Sequence, residues 1–345
     1  MTQCSEEAGF AFMNTKNIAP FALLFLGATI VAADIAAQSK PAAGRRVAES
    51  APLPEGVTTK DALFHSEGAE CYGKIFLPKG FAADGKAAAV VLAPGWGETE
   101  VTIEKYAARI AARGIVAMAI DYRGWGKSGG YVYNAEAVHV DDRQRFSQHT
   151  AKVLIRRKRL IPRDQVLDIR NAVSYLQGEP GVDRARVGIW GTDMAGGHVV
   201  VVAATDARIK AAVAQTPLIE GKDVPTTAAI PSADLARDEI QLAREGQVPA
   251  APAAAAALSA KETKVALADY HPFWYAGQVP KSCAILFVVA KNDPKVNNET
   301  NAVAASKLVQ GTTNVIEIPS ATHVLDGKAS DSAADAAADW FAKNL

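Results

Sequence analysis

The chain has 345 residues, 49% apolar and 21% charged, enough for one large buried core, whether as one α/β domain with insertions or as two domains. Its 37 basic and 37 acidic residues give a formal net charge of zero, which excludes a basic field for nucleic acid and gives no reason to expect a polyanionic or membrane-surface partner. A small-molecule substrate fits this charge balance, and nothing in it bears on oligomeric state.

In chain order, the first pattern is that of an export signal. Met13-Asn14-Thr15-Lys16 precedes an apolar run from Ile18 to Ala33, and small residues at Ala36 and Ala37 stand before Gln38. Residues 1–38 are therefore expected to be an N-terminal extension and signal peptide, with Met13 as the initiator and the signal itself at about 13–37. Residues 39–60 read as a linker and 61–345 as the folded domain. The mature protein is expected to be exported to the periplasm, with no stable membrane span.

Strand-like runs follow at Glu70 to Leu77, Ala87 to Ala93, Ile115 to Ile120, Val187 to Trp190, Ala211 to Gln215, Ala284 to Ala290 and Val315 to Pro319. Helical patterns lie between them at Thr102 to Arg113, Gln165 to Gln177, Gly197 to Ala204, Asn301 to Leu308 and Asp331 to Lys343. Near-continuous apolar strands alternating with helices predict an α/β fold with a mostly parallel, doubly wound sheet. Two segments break the alternation. Residues 131–162 carry a polar and basic run, including Arg156-Arg157-Lys158-Arg159, and residues 219–277 carry the alanine-rich Pro249 to Leu258. Both are expected to be helical lid insertions over the strand ends, with the basic run a solvated helix face rather than a binding patch.

Cys71 and Cys283 fall in strand-like runs and read as packing residues rather than a bridge. No zinc-type Cys/His spacing, HExxH or facial carboxylate pattern occurs, so neither metal nor cofactor is expected. The chemistry then falls to side chains. Val187-Gly188-Ile189-Trp190-Gly191-Thr192-Asp193-Met194-Ala195-Gly196-Gly197 has the form of a nucleophile elbow, an apolar strand running through a tight turn into a helix, with Asp193 at its apex. An isolated aspartate before a helix would be its N-cap. The rest of the chain argues for more.

The chain resembles the α/β-hydrolase superfamily, in the branch holding dienelactone-hydrolase-like, acetyl-xylan-esterase-like and Xaa-Pro-peptidase-like proteins. The stretches that carry the resemblance are Leu92-Ala93-Pro94-Gly95-Trp96-Gly97, Asp121-Tyr122-Arg123-Gly124-Trp125-Gly126-Lys127-Ser128-Gly129-Gly130, the elbow, Val289-Ala290-Lys291-Asn292-Asp293 and Ala321-Thr322-His323. They span roughly Glu70 to Leu345 in the family's order. The resemblance implies an α/β-hydrolase fold with nucleophile, acid and base in that order, here Asp193, Asp293 and His323. It also implies an oxyanion hole from the backbone N–H groups of Trp96 and Met194. The remaining histidines, His65, His139, His149, His198 and His271, have no such placement and read as structural or surface residues.

Asp193 is the departure from the family, which holds serine at that point. A carboxylate attacking an ester carbonyl would give a mixed anhydride, uphill of the substrate, whereas attack on a saturated carbon gives a stable alkyl ester. Epoxides and carbon–halogen bonds fit. The haloalkane dehalogenases that this elbow resembles place tryptophan after the nucleophile to hold halide, and Met194 stands there instead, so the expected reaction is epoxide opening. An acid near the leaving oxygen would come from Tyr122, Tyr131, Tyr133 or Tyr275, with Trp125 a further pocket residue. Two alternatives stand beside this reading. One is an esterase- or lactone-directed hydrolase in which Asp193 is a base or Thr192 the nucleophile, and the other is a non-catalytic binder that keeps the pocket.

Overall fold

Runs such as Ala87–Ala93, Val116–Ile120 and Ala284–Ala290 are apolar on both sides of the pleat, a pattern suited only to strands covered on both faces. The computed structural model, which describes residues 52–139, 141, 143–220, 232–245, 261–320 and 322–345, has these runs at the centre of an eight-stranded sheet. The described residues all belong to one packing unit, Ser50–Leu345. The expected signal peptide, most of the linker and the alanine-rich Pro249 to Leu258 lie outside them.

The elements are β1 (Thr58–Ser66), β2 (Ala69–Leu77), β3 (Ala87–Ala93), α1 (Glu100–Ala111), β4 (Val116–Ile120), β5 (Tyr131–Asn134), β6 (Val153–Arg156), α2 (Pro162–Gln177), β7 (Val182–Thr192), α3 (Met194–Thr205), β8 (Ile209–Gln215) and α4 (Ser232–Glu245). There follow α5 (261–268), a 3-10 turn (Pro272–Gln278), β9 (Ala284–Ala290), a π turn (Glu299–Val303) leading into α6 (Ala304–Leu308), β10 (Thr313–Ile318) and α7 (Gly327–Asn344). The main sheet runs β1-β2-β4-β3-β7-β8-β9-β10. β1, β2 and β4 pair antiparallel, and every pairing from β4 to β10 is parallel. This is the α/β-hydrolase architecture.

Alternate residues of each strand feed two cores. Val91, Ile189, Ala212 and Phe287 pack under α2 and α3 with Ile169, Val173, Val199 and Val202. Val90, Leu92, Trp190, Val213 and Leu286 pack under α1 and α7 with Ile103, Ile110, Ala337 and Phe341. Two covered faces hold the strands rigid, so the loops at their carboxyl ends are displayed on a fixed frame.

The structure corrects three expectations. β1 begins inside the segment expected to be linker. It is an edge strand with burial only at alternate positions, and its Lys60, Asp61 and His65 mask the apolar residues between them. The described residues of the insertion before Pro162 hold no helix: β5 and β6 form an antiparallel two-stranded sheet, as the β-branched Val132, Val153 and Ile155 favour. Its basic run is not a solvated helix face either, because Arg156 and Arg159 both reach Glu262, buried in α5. The second insertion does contain helices, α4 and α5. Cys71 and Cys283 are free and buried, and the described residues hold no cluster of His, Cys, Asp or Glu able to bind a metal.

Asp121, at the end of β4, anchors the loop that follows. Its carboxylate accepts the backbone N–H groups of Glu100 and Lys127, each at 2.8 Å, and it is buried beside the Glu100 carboxyl, itself buried and 3.0 Å from Lys127 Nζ. Burial, then the shared hydrogen bond with Glu100, raises the Asp121 pKa from 3.8 to about 7. The folded state thus binds this proton more tightly than the unfolded chain. The stability it contributes is complete below about pH 4 and is lost as pH rises through about 7. Glu100→Gln gives Asp121 an amide donor in place of the shared proton. Urea unfolding of the wild type is expected to be weaker at pH 8 than at pH 5 by on the order of 1–3 kcal/mol, and Glu100→Gln is expected to remove at least half of that difference.

Candidate active site

The end of β7 and the start of α3 build the elbow. Asp193 sits at φ 56°, ψ −122°, a backbone state that costs a non-glycine residue about 1–3 kcal/mol. The strain is held by its own backbone: its N–H donates to Gln215 O at 3.0 Å, and its carbonyl accepts from Gly196 N and Leu218 N, both at 3.0 Å. Gly191 is required here because a Cβ would lie 2.4 Å from the Ala195 carbonyl oxygen. Gly95 lies across the turn, where a Cβ would come within 3.1 Å of Asp193 Oδ2. The Asp193 side chain makes no capping bond to α3. It projects away from the helix.

Its two oxygens are held differently. Oδ2 accepts the backbone N–H of Trp96, from the turn after β3, at 2.9 Å. Oδ1 lies 2.9 Å from His323 Nε2, and His323 Nδ1 lies 2.7 Å from Asp293 Oδ2. Asp293 follows β9, and its Oδ1 also accepts the N–H groups of Lys295 (2.8 Å) and Val296 (3.1 Å). Both His323 and Asp293 are nearly sealed from solvent. The structure thus brings together Asp193, Asp293, His323 and the Trp96 N–H, four groups from four loops at one end of the parallel sheet.

Electrostatics follow from these contacts. Burial alone would raise the Asp193 pKa, but the hydrogen bond to His323, the Trp96 N–H, the imidazolium charge and the Met194 N–H together hold it below the ordinary carboxylate value. Burial likewise opposes the charged form of His323, yet Asp193 and Asp293 win and raise its pKa above 6.5. Each group favours the charged form of the other, carboxylate at Asp193 and imidazolium at His323. The Trp96 N–H, which would serve a substrate oxyanion, is aimed at the protein's own carboxylate.

The other expected site residues divide. The Met194 side chain is buried in an apolar cluster with Leu218, Leu267 and Val296, against Trp96 and Tyr270, so it walls the site and offers a halide no donor. Thr192 Oγ1 lies 3.4 Å from Thr216 Oγ1 and from Gln215 Nε2, away from His323, which leaves it without a base. Four leaving-group and pocket candidates are committed elsewhere. Tyr131 donates to Asp164 Oδ2 at 2.8 Å, and with Tyr133 it lines a separate cavity of about 490 Å³ beside Arg123 and Arg163. Tyr275 packs on the α2–α3 core, and Trp125 Nε1 donates to Arg159 O at 3.0 Å. Tyr122 is different: it is buried, and its hydroxyl has no hydrogen-bond partner among the described residues.

Sequence reasoning missed His198 and Tyr270 as neighbours of the site. His198 lies on α3, just past the elbow, with Nε2 2.9 Å from Gln165 Oε1 and Nδ1 bonded to the Tyr270 hydroxyl. Complete burial lowers its pKa to about 3, so it is neutral and fastens the end of the second insertion to the nucleophile helix. A histidine inside an otherwise apolar helix (Met194–Thr205) was the available signal.

Comparison with known proteins bears on the fold and the family. Quorum-quenching protein AidA of Acinetobacter baumannii (strain MDR-ZJ06) is 28% identical over 162 residues, 47% of this chain and 44% of that protein. The chain spans less than half the length of the first curated relatives it matches, 38% and 44%. Among solved structures, the hypothetical protein PA2218 from Pseudomonas aeruginosa superposes with TM-score 0.65 at 18% identity, covering 88% of this chain and 98% of that one. Acetyl xylan esterase from Paenibacillus sp. R4 superposes with TM-score 0.54 at 18% identity, covering 84% and 85%. These two likenesses establish the fold. The family pattern described as acetyl xylan esterase (AXE1) matches residues 55–242, more than half of the chain, and the protein therefore belongs to the acetyl xylan esterase family of α/β hydrolases.

Proposed function

We propose that the protein is a hydrolase whose nucleophile is Asp193, acting on a saturated carbon of an epoxide through an alkyl-enzyme ester. The observation that carries this reading is the posture of the Asp193 carboxylate, with Oδ2 at the Trp96 N–H and Oδ1 at His323. A substrate ester carbonyl entering the oxyanion hole would have to displace a charged oxygen already bound there, so the serine-type reaction of the family is disfavoured. Once Asp193 carries an alkyl group, the same arrangement becomes productive. Its remaining oxygen is the carbonyl oxygen, already at the Trp96 N–H, which stabilises the tetrahedral oxyanion. His323, oriented by Asp293, then takes a proton from the water that attacks Asp193 Cγ. Esterification also removes the Asp193 charge that helps raise the His323 pKa, which shifts the imidazole toward its neutral form at the stage where a base is required. Ordered as a carboxylate pair and an imidazole, these groups exceed what a ligand-binding module needs.

Several outcomes test this reading. Asp193→Asn is expected to lower turnover at least about 1,000-fold with no loss of folding, and His323→Gln is expected to accumulate an adduct of substrate mass on Asp193, read by intact-protein and peptide mass spectrometry. Single turnover in ¹⁸O water should put label into Asp193 before product; label in product alone sinks the proposal. Asp193→Ser frees the oxyanion hole and supplies a hydroxyl beside His323, and it is expected to gain hydrolysis of p-nitrophenyl acetate that the parent lacks. Alkylation should persist at pH values below the ordinary carboxylate range, because the Asp193 pKa is lowered. Breakdown of the alkyl-enzyme should rise with pH as His323 loses its proton. Rapid-quench measurement of the two steps separates these limbs.

A further inference from the structure

Glu98 closes the turn that carries Trp96. Its backbone N–H donates to Gly95 O at 3.2 Å, and its Oε2 accepts from Gly95 N at 3.3 Å, so the side chain folds back along the turn toward the elbow. The position that a Cβ on Gly95 would occupy is 3.1 Å from Asp193 Oδ2 and 3.2 Å from Glu98 Oε2. Two carboxylates thus converge on one methyl-sized space, about 6 Å apart or closer, a range over which one charge is felt by another. Nothing on the chain neutralises the second of them. Glu100 pairs with Lys127 at 3.0 Å and Glu104 with Lys74 at 2.7 Å, but Glu98, half-buried on the same stretch, pairs with no lysine, arginine or histidine among the described residues. Its contact with Thr102 Oγ1, at 3.3 Å, is weak, because that hydroxyl has a closer acceptor in Thr99 O at 2.9 Å.

Indole rings stand beside the same turn. Trp96 lies within it, half-buried, and a Cβ on Gly97 would touch the Trp125 ring at 3.7 Å. Trp125 is itself half-buried and is held by its Nε1 bond to Arg159 O at 3.0 Å. The cations of the Trp125 loop and its neighbour strand are committed elsewhere, Lys127 to Glu100 and Arg157 to the carbonyls of Gly126 and Ser128. An accessible carboxylate without a counter-ion, with indoles alongside, is the chemistry that recognises an ammonium group.

Resting on the reading of Asp193 as nucleophile, we propose that Glu98 is a specificity-determining residue of this site and selects substrates that carry an ammonium group a few bonds from the carbon under attack. The cation takes no part in the bonds made and broken. It neutralises the Glu98 charge while the substrate sits at Asp193, and the same charge repels substrates that carry a carboxylate in its place.

The test uses the full chain in the His323→Gln background, where the alkyl-enzyme accumulates, with glycidyltrimethylammonium, its neutral isostere neopentyloxirane and the anion glycidate as probes. Glu98→Gln keeps an acceptor for the Gly95 N–H and removes the charge. It is expected to slow adduct formation on Asp193 from the cationic epoxide at least about 10-fold relative to the neutral one, and to speed glycidate relative to the neutral one. Equal effects on all three probes overturn the assignment, because a loosened turn would produce them, and so does discrimination that the substitution leaves intact. Tetramethylammonium alone, titrated against tryptophan fluorescence, should bind about 10-fold more weakly to Glu98→Gln than to its parent; equal binding, or none to the parent, overturns the proposal without any chemistry being involved. Absence of an Asp193 adduct from every probe, with tetramethylammonium binding still dependent on Glu98, overturns instead the nucleophile reading beneath it.

Discussion

A single carboxylate held between a backbone N–H on one oxygen and an imidazole on the other organises this molecule. Asp193 occupies a left-handed, strained backbone position at the turn between β7 and α3. The turn survives because the sheet beneath it is covered on both faces and cannot relax. Everything nearby serves that posture: Gly95 and Gly191 leave room, Trp96 and His323 hold the two oxygens, and Asp293 holds the imidazole. A strained residue persists only where its surroundings over-determine it, and here the surroundings are the proposed chemistry itself.

The carboxylate also changes what an inherited frame can do. The chain belongs to the acetyl xylan esterase family, and its elbow and Asp293–His323 pair resemble the arrangement that α/β hydrolases build around a serine. On the proposed reading, the oxyanion hole serves an enzyme-borne carbonyl instead of a substrate carbonyl. One change at one apex would then redirect the same donors from acyl transfer toward displacement at carbon.

Much of this was legible in the sequence. Asp193, Asp293 and His323 stood out because strand-end loops come in a fixed order, and apolar strands mark where those loops begin. The central strands were readable for the same reason: a run such as Ala284–Ala290 has few other uses. The misreadings share a cause, which is pairing between distant segments. The basic run at Arg156 and Arg159 looked like a solvated helix until Glu262 was found against it, and β1 hid behind alternating charged residues. Tyr131 and Tyr275 could not be separated from Tyr122 by position along the chain, because what distinguishes them is packing between distant segments: Tyr131 bonds Asp164, Tyr275 lies partly buried on the α2–α3 core, and Tyr122 is sealed in without a partner among the described residues. The link between His198 and Tyr270 joins residues 72 apart, and no local pattern announces it.

The Glu262 cluster has a consequence for how this protein can be rebuilt. Arg156 reaches Glu262 Oε1 and Oε2 at 2.9 and 2.8 Å, Arg159 reaches Oε2 at 3.1 Å, and Glu262 is 3% exposed. The two insertions are thereby fastened to each other by charges sealed from water. Grafting the second insertion alone onto a relative would leave the buried Glu262 carboxylate without these two counter-ions, at roughly 3–5 kcal/mol. The pair is a single exchangeable module, although the sequence writes it in two places.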